Sequence, residues 1–176
     1  MCAHSLVAYS IDMKNIIYIV CLVLFLISSI DAREVSQLEV RNDLMYEPNQ
    51  ENPFTGKHVT YYENGQKKEE RNYKDGKEDG LWTRWHENGQ KKRGGNYKDG
   101  KKDGLWTWWH ENGQKRKGGN YKDGKKDGLW AWWHENGQKR RGGNYKDGKE
   151  DGLWTWWHEN GNVTKTETYS NGELVE

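Results

Sequence analysis

The sequence predicts an all-β fold, an elongated antiparallel meander of about ten strands built from five 24-residue β-hairpin repeats in a single twisted sheet layer. Three observations predict this fold. Glycine followed by leucine and tryptophan recurs every 24 residues, at Gly80, Gly104, Gly128 and Gly152. Each interval contains Asn-Gly and Asp-Gly, dipeptides typical of tight hairpin turns. No segment has the apolar period of a helix, and the runs of Trp, Thr and Tyr between the turns suit strands.

One further step towards the N-terminus reaches Gly56, whose unit has the same skeleton with fewer aromatic residues. The five repeats therefore span residues 56–79, 80–103, 104–127, 128–151 and 152–175. Residues 33–55 are expected to cap the array, and Pro48 and Pro53 would guard the first sheet edge because proline cannot donate to a ladder. Atypical first and last units are what a stacked array needs at its ends.

The Asn-Gly dipeptides are interpreted as two-residue turns that set the register of each hairpin. In the unit 104–127 such a turn places Trp106 opposite Gly119, where a ring can cover the bare glycine, and Trp109 opposite Arg116 in a cation–π pair. The Asp-Gly connection leaves two alternatives, a two-residue turn that staggers successive units or a longer loop that keeps Trp over Trp. The structural turn residues are Asn88, Gly89, Asn112, Gly113, Asn136, Gly137, Asn160 and Gly161.

Strand alternation sorts the aromatic side chains onto two faces. Trp106, Trp108 and His110 are expected on one face, and Leu105 and Trp109 on the other, with equivalent rings roughly 10 Å apart. Two roles are open for these rings, as internal girders of a one-layer sheet or as a partner-binding surface. The candidate partner-binding residues are Trp106, Trp108, Trp109, Trp130, Trp132, Trp133, Trp154, Trp156 and Trp157.

The N-terminal 32 residues are interpreted as a secretory signal peptide. Lys14 precedes an uncharged run over residues 16–30, and small residues follow up to Ala32. Translation is expected to begin at Met13, because the residues from there on have the usual start of such a signal. The signal-peptide interpretation therefore predicts export to the periplasm, the cell envelope or the medium. The alternative is a membrane anchor formed by residues 16–30, which are short for a span of ~20 residues.

Charge and spacing exclude several function classes. The net charge of +1 argues against a nucleic-acid partner, which usually requires a basic excess. The recurring histidines, such as His86 and His110, lie 24 residues apart and therefore too far apart along the sheet to share a metal ion. Nearly every candidate acid or base recurs with its neighbours unchanged, whereas a catalytic site is a single asymmetric cluster. We expect no catalytic residue, no metal and no cofactor.

The repeated letters resemble a known family. Tyr121, Gly124, Gly128 and Trp130 follow the order of the MORN repeat, and the recurring "ENGQKK" is similar to the MORN-variant repeats of the YwqK-type family. The resemblance covers residues 56–175 and implies a MORN-like single-layer sheet. Bacterial members of the YwqK-type family are labelled antitoxins of toxin–antitoxin systems, which implies a protein-binding role. Because a secretion signal leads away from the cytosol, an envelope or extracellular partner fits better than a cytosolic toxin.

These observations favour a monomeric, non-enzymatic scaffold that binds an unknown protein partner, with an antitoxin- or immunity-like role. Two alternatives are kept. Rows of Trp at regular spacing would suit a cell-wall or envelope glycan, whose sugar rings stack on indoles. Association with a membrane surface ranks third, because the 28 basic residues are matched by 27 acidic ones.

Overall fold

The computed structural model describes residues 34–175, all within one compact unit that begins at Glu34. In this part of the chain twelve strands form one open sheet, and two more form a separate small hairpin. The predicted signal peptide (residues 1–32), the start at Met13 and the alternative anchor (residues 16–30) lie outside the described residues. Between residues 34 and 175, no helix is long and apolar enough to cross a membrane.

The predicted antiparallel meander is confirmed. From β4 to β14 each strand pairs antiparallel with the next one in the chain; every repeat contributes two strands, and the last adds the short β14 as an eleventh. The strands are β1 (Glu34–Val35), β2 (Glu39–Arg41), β3 (Leu44–Tyr46), β4 (Gly56–Tyr61), β5 (Lys67–Lys74), β6 (Lys77–Trp85), β7 (Lys91–Lys98), β8 (Lys101–Trp109), β9 (Lys115–Lys122), β10 (Lys125–Trp133), β11 (Lys139–Lys146), β12 (Lys149–Trp157), β13 (Val163–Ser170) and β14 (Glu173–Leu174).

The Asn-Gly turns differ from the two-residue prediction. In the loop from β8 to β9, His110 N–H donates to the Gln114 carbonyl at 2.8 Å, and Gly113 N–H donates to the His110 carbonyl at 3.0 Å. Gly113 has φ of +83°, whereas Asn112 keeps a negative φ. The loop therefore has three residues and ends in a bulge at glycine, a common hairpin form. The extra residue shifts the pairing, so that Trp109 faces Lys115 instead of Arg116.

The Asp-Gly connection is a two-residue turn, and yet the units stay in register. Asp123 and Gly124 both have positive φ, of 50° and 81°, as a type I′ turn requires. Further along the hairpin, Asn120 alone lies opposite three residues of β10, centred on Gly128 with φ of +80°. This bulge adds two residues and cancels the stagger of the turn. Trp106 and Trp130 consequently pair with the same residue, Gly119, from its two sides.

The capping segment covers the first unit in two ways. β1 pairs in parallel with β4, so a strand covers the edge that the prolines were expected to guard. Phe54 is buried, and its ring centroid lies 5.9 Å from that of Tyr73. Met45 N–H donates to the Gly76 carbonyl at 2.9 Å, which ties the β2–β3 hairpin to the first Asp-Gly turn. The remaining core of the sheet is a layer of rings on one face.

Candidate functional site

The first of two candidate surfaces is the aromatic face, the side of the sheet that carries Trp106 and its repeats. Trp106, Trp130 and Trp154 are 0–2% exposed. Together with Trp82 they form a ladder in which the first two ring centroids lie 5.4 Å apart. Three of the nine candidate partner-binding residues are therefore buried in a layer only one sheet thick. Their rings have a structural role in the sheet, and no ring face is accessible to a ligand.

Glycine makes this burial possible. The indole of Trp106 lies over Gly95 of the preceding unit, so close that a Cβ on Gly95 would overlap the ring. In this position the indole N–H donates to the Asn96 carbonyl at 2.9 Å. The same bond recurs from Trp130 to Asn120 at 2.9 Å. The covered glycine that the sequence predicts is present, but the ring covers the glycine of the unit before it.

Smaller contacts make the layer continuous. Trp108 touches the ladder on both sides, with ring centroids 5.8 Å from Trp106 and 5.9 Å from Trp130. Tyr121 meets Trp130 edge-to-face at 5.1 Å and 86°, a favourable geometry for aromatic pairs. The candidates Trp108, Trp132 and Trp156 are half-buried in this layer.

Lysine and arginine side chains lie across the exposed side of the rings. Lys102 Nζ is 4.5 Å from the Trp106 ring centroid, Lys117 Nζ is 4.6 Å from that of Trp108, and Arg141 Cζ is 4.2 Å from that of Trp132. The predicted cation–π pair of Trp109 with Arg116 is wrong, because the bulge moves Arg116 out of register. Cation–π contacts form on both faces, because on the other side of the sheet Lys115 Nζ lies 5.8 Å from the Trp133 ring centroid and Lys139 Nζ lies 5.6 Å from that of Trp157.

Burial and crowding change the acid–base behaviour of this face. Burial lowers the pKa of Lys102, and the nearby charges of Arg93 and Lys117 lower it further. Burial raises the pKa of Tyr97 to about 12, with a contribution from the negative charge of Glu78. The amines therefore hold their protons less tightly than free lysine, while the phenol stays neutral at physiological pH.

The opposite side, the leucine face, is the second candidate surface. Leu105, Leu129 and Leu153 are 62%, 77% and 61% exposed, although leucine is usually buried. They line a shallow groove of about 410 Å³, whose walls include Trp133 and Trp157 and whose floor includes paired glycines. The candidates Trp109, Trp133 and Trp157 are half-buried on this side of the sheet.

The Asn-Gly loops form a third regular structure, a stack along one sheet edge. The Asn112 side-chain amide donates to the Glu135 carbonyl of the next unit at 3.0 Å, and its Oδ1 accepts from Gln114 N–H at 3.0 Å. His110 Nε2 lies 3.4 Å from the Trp133 carbonyl. His110 therefore sits in a loop as a link between units, not on the aromatic face where alternation placed it. Within residues 34–175, no group of His, Cys, Asp or Glu side chains is arranged to hold a metal ion.

Sequence reasoning missed the basic residues over the rings and the tyrosines that pack edge-to-face against them. Lys102 and Tyr121 are adjacent to the turns that the sequence marks, yet their positions on the aromatic face depend on the bulge at Gly104. The sequence contains one clue to this bulge. A second Asp-Gly dipeptide, Asp103-Gly104, follows the turn dipeptide Asp99-Gly100, and its glycine permits the positive φ that the bulge uses.

Comparison with known proteins agrees with this architecture. A search of curated proteins found no match. The family described as "MORN repeat variant" matches residues 54–75, 78–99, 102–123, 126–147 and 150–171. Each matched window begins two residues before the corresponding repeat defined above. Repeats of this kind generally serve as modules for interaction with proteins or membranes. Because the five windows cover more than half of the chain, the protein belongs to the MORN repeat variant family.

Proposed function

We propose that this protein is a non-enzymatic repeat scaffold that captures a protein partner on its leucine face. The observation that carries the proposal is the row of exposed leucines over a glycine floor. Burial of a leucine side chain contributes roughly 1.5–3 kcal/mol, so three such residues in line offer a substantial apolar contact. Lys115 and Lys139 line the same groove and would supply polar contacts at its rim.

A non-enzymatic role is supported by the repetition of the groove. Leu105, Leu129 and Leu153 occupy equivalent positions of successive units, as do Lys115 and Lys139. A catalytic site needs a nucleophile, a base and an orienting group in one asymmetric cluster. A row of like positions is suited instead to a contact that extends over several units.

The YwqK-type resemblance supports a narrower role, in which the captured partner is a toxic protein that the scaffold neutralises. The signal-peptide interpretation of residues 1–32 places that encounter in the envelope or outside the cell. Trp133 and Trp157 in the groove wall support a second candidate, an envelope glycan stacked on these two rings, which lie roughly 10 Å apart along the sheet. Membrane association is kept as the third.

The test compares two matched triple variants in a cross-linked pull-down from the native host. Replacement of Leu105, Leu129 and Leu153 by threonine removes the exposed leucines and keeps strand propensity. Replacement of the exposed Lys98, Lys122 and Lys146 by threonine is the control. The proposal expects one protein to be recovered by the wild type and the lysine control and lost by the leucine variant. Equal recovery by all three would reject the leucine face as the binding surface.

Two additional measurements separate the narrower roles. Co-expression of the recovered partner with wild type or leucine variant shows whether the scaffold relieves toxicity; relief by the wild type alone supports the antitoxin role. Retention on purified peptidoglycan, lost when Trp133 and Trp157 are replaced by leucine, would favour the glycan candidate. If neither relief of toxicity nor retention on peptidoglycan is observed, the protein is a scaffold whose partner is neither a toxin nor this glycan.

A further inference from the structure

Five cations form a strip on the aromatic face, on the side of the sheet opposite the leucine groove. They are Arg93, Lys102, Lys117, Lys126 and Arg141. Each charged group lies over an indole ring, at distances such as 4.7 Å from Arg93 Cζ to the Trp82 centroid and 4.8 Å from Lys126 Nζ to the Trp130 centroid. The side chains are thus held flat on the ring layer, which reduces their conformational freedom before any partner binds.

These charges have no ion-pair partner in the part of the chain that the structure describes. Among residues 34–175, no carboxylate forms an ion pair with any of the five. Arg93 Nε is buried without a hydrogen-bond acceptor within the same residues. Burial lowers the pKa of Lys117, and repulsion from Arg116, Arg141 and Arg93 acts in the same direction. A negatively charged ligand would relieve both the repulsion and the missing acceptor.

Acidic residues limit the strip at both of its ends. At the C-terminal end Lys165 follows Arg141 by one repeat and lies 5.2 Å from the Trp156 ring centroid, but it is paired with Glu167. Glu78 stands one repeat before Lys102, and Glu150 stands one repeat after Lys126. Similarly, Glu69 stands one repeat before Arg93. The cationic strip is therefore confined to the central units. From Arg93 through Lys117 to Arg141 it extends over two repeat steps, roughly 20 Å at two strand spacings per step.

These limits favour one class of ligand. A bilayer or a long nucleic acid would extend past the strip and bring its negative charges against Glu78 and Glu150. Nucleic-acid bases would also need free ring faces on which to stack, whereas these rings are packed against one another and covered by cations. A short acidic peptide fits between the glutamates. In a polyproline II helix, three residues complete one turn and span roughly 9 Å, close to the distance from one unit to the next, so every third side chain points to the same side.

We infer that the cationic strip of the aromatic face docks an acidic protein segment of about seven residues in the polyproline II conformation, with a carboxylate at every third position. Its carboxylates would meet successive cations of the column formed by Arg93, Lys117 and Arg141, with Lys102 and Lys126 beside them. The strip and the leucine groove lie on opposite faces, so a partner for one does not require a partner for the other.

The probe for this inference is a fluorescent synthetic peptide of sequence Glu-Ser-Thr-Glu-Ser-Thr-Glu, titrated with the full chain and followed by fluorescence anisotropy. A peptide with glutamine in place of each glutamate is the matched control. We expect saturable binding of the acidic peptide that weakens as salt is added, and at least about tenfold weaker binding of the glutamine peptide. Equal binding of both peptides would overturn the inference.

Protein variants locate the site. Lys102→Gln combined with Lys126→Gln should weaken binding about tenfold, whereas Lys102→Arg with Lys126→Arg should retain it. Lys102→Met with Lys126→Met keeps an apolar stem over the rings and should also lose binding, which separates loss of charge from loss of fold. Lys98→Gln with Lys122→Gln removes the same charge elsewhere and should leave binding unchanged. An equal loss in that control would show non-specific attraction and reject the strip.

Two competitors distinguish other polyanions. Phosphatidylcholine vesicles with phosphatidylserine, and a short oligothymidine, are tested on the wild type and on the Lys102→Gln, Lys126→Gln variant. Binding of vesicles or oligonucleotide that exceeds peptide binding and depends on these lysines would assign the strip to that ligand and reject the peptide. The leucine triple variant should bind the peptide normally. Normal peptide binding together with a failed pull-down would reject the proposed function and leave this inference standing.

Discussion

The junction between the first two repeats differs from the junctions in the middle of the array, although all of them bury a tryptophan. At an interior junction Gly95 leaves room for the Trp106 indole, whose N–H reaches the Asn96 carbonyl at 2.9 Å. At the first junction Arg71 stands in the position of that glycine, and Trp82 is also buried. Within the described residues, the Trp82 indole nitrogen has no hydrogen-bond partner.

The difference shows that shape and hydrogen bonding are coupled in this ladder. Arg71 is held by Glu78 at 3.0 Å and Glu69 at 2.9 Å, and its guanidinium lies 5.9 Å from the Trp82 ring. At the end of the array, ion pairs and a cation–π contact of Arg71 therefore take the place of the close packing of indole on glycine. A buried donor without an acceptor costs roughly 1–3 kcal/mol, so the interior arrangement is the more favourable one for tryptophan.

The largest expected effect comes from filling the space that an interior glycine leaves for the tryptophan ring above it. In Gly119→Ala the new Cβ would overlap the buried Trp130 ring, which cannot move without displacing its neighbours. We expect a loss of about 3 kcal/mol in the free energy of unfolding, measured by urea denaturation. Gly100→Ala is the control, because its Cβ meets open space and only a left-handed φ of +76° opposes it. That variant should lose about 1 kcal/mol. An equal loss in both variants would contradict the role of Gly119 in leaving room for the Trp130 ring.

A second experiment isolates the indole hydrogen bond. Trp106→Phe removes a satisfied N–H, whereas Trp82→Phe removes one that has no acceptor among the described residues. Both substitutions take away similar ring volume from a buried site. Trp106→Phe should therefore be more destabilising by about 1–2 kcal/mol in urea denaturation. If Trp82→Phe is the more destabilising of the two, the missing acceptor is not a defect of the first junction.

The loop edge offers an analogous contrast between an interior turn and the last one. Asn112 links its loop to the Glu135 carbonyl of the next unit, whereas Asn160 belongs to the last repeat and, among residues 34–175, its side chain bonds to its own turn alone, through Asn162 N–H. Asn112→Ala should therefore cost about 1 kcal/mol more than Asn160→Ala in the same denaturation assay. Equal losses would mean that the links between loops contribute nothing to stability.

The smallest expected effect is a pH dependence that arises from Glu70 in the first unit. Burial raises the pKa of Glu70, but the hydrogen bond from Lys67 at 2.8 Å and the charge of Lys57 outweigh it, and the net pKa is lowered. A lowered folded-state pKa gives stability that is present at neutral pH and lost as the pH falls through that pKa.

We expect this loss to be below about 1 kcal/mol between about pH 5 and pH 3, because the lysines are partly exposed. The measurement is the free energy of unfolding as a function of pH, compared with that of Lys57→Gln combined with Lys67→Gln. The variant should show a shallower decline in acid. A steeper decline would contradict the role of the two lysines.

The sequence predicted the period, the hairpins and the distribution of tryptophans between the faces. These follow from local rules, because turn dipeptides and strand alternation need no knowledge of neighbouring units. The register beyond Gly128 could not be predicted in the same way. A two-residue turn implies stagger, and only the packing of Trp130 over Gly119 shows why the two additional residues of the bulge are retained.

The candidate site was predicted less completely for the same reason. The sequence pattern does not distinguish Trp106 from Trp133 in burial, yet Trp106 is fully buried and Trp133 lines an open groove. Whether a ring is buried in a single-layer sheet depends on which side chains cover that ring. Here Lys102 and Tyr121 do so, and their alignment depends on the bulge and not on any local motif.

The bulge at each Asp-Gly-Leu also affects how this protein can change in length. Because it makes the chain period equal to the period of the sheet, the junctions at Gly95, Gly119 and Gly143 are alike, and the two units between them have the same kind of neighbour on both sides. A unit can therefore be duplicated or deleted in the gene without creating a new kind of junction. Each event would lengthen or shorten both faces together by roughly 10 Å. Recombination between copies is thus a direct way to change the length of the sheet.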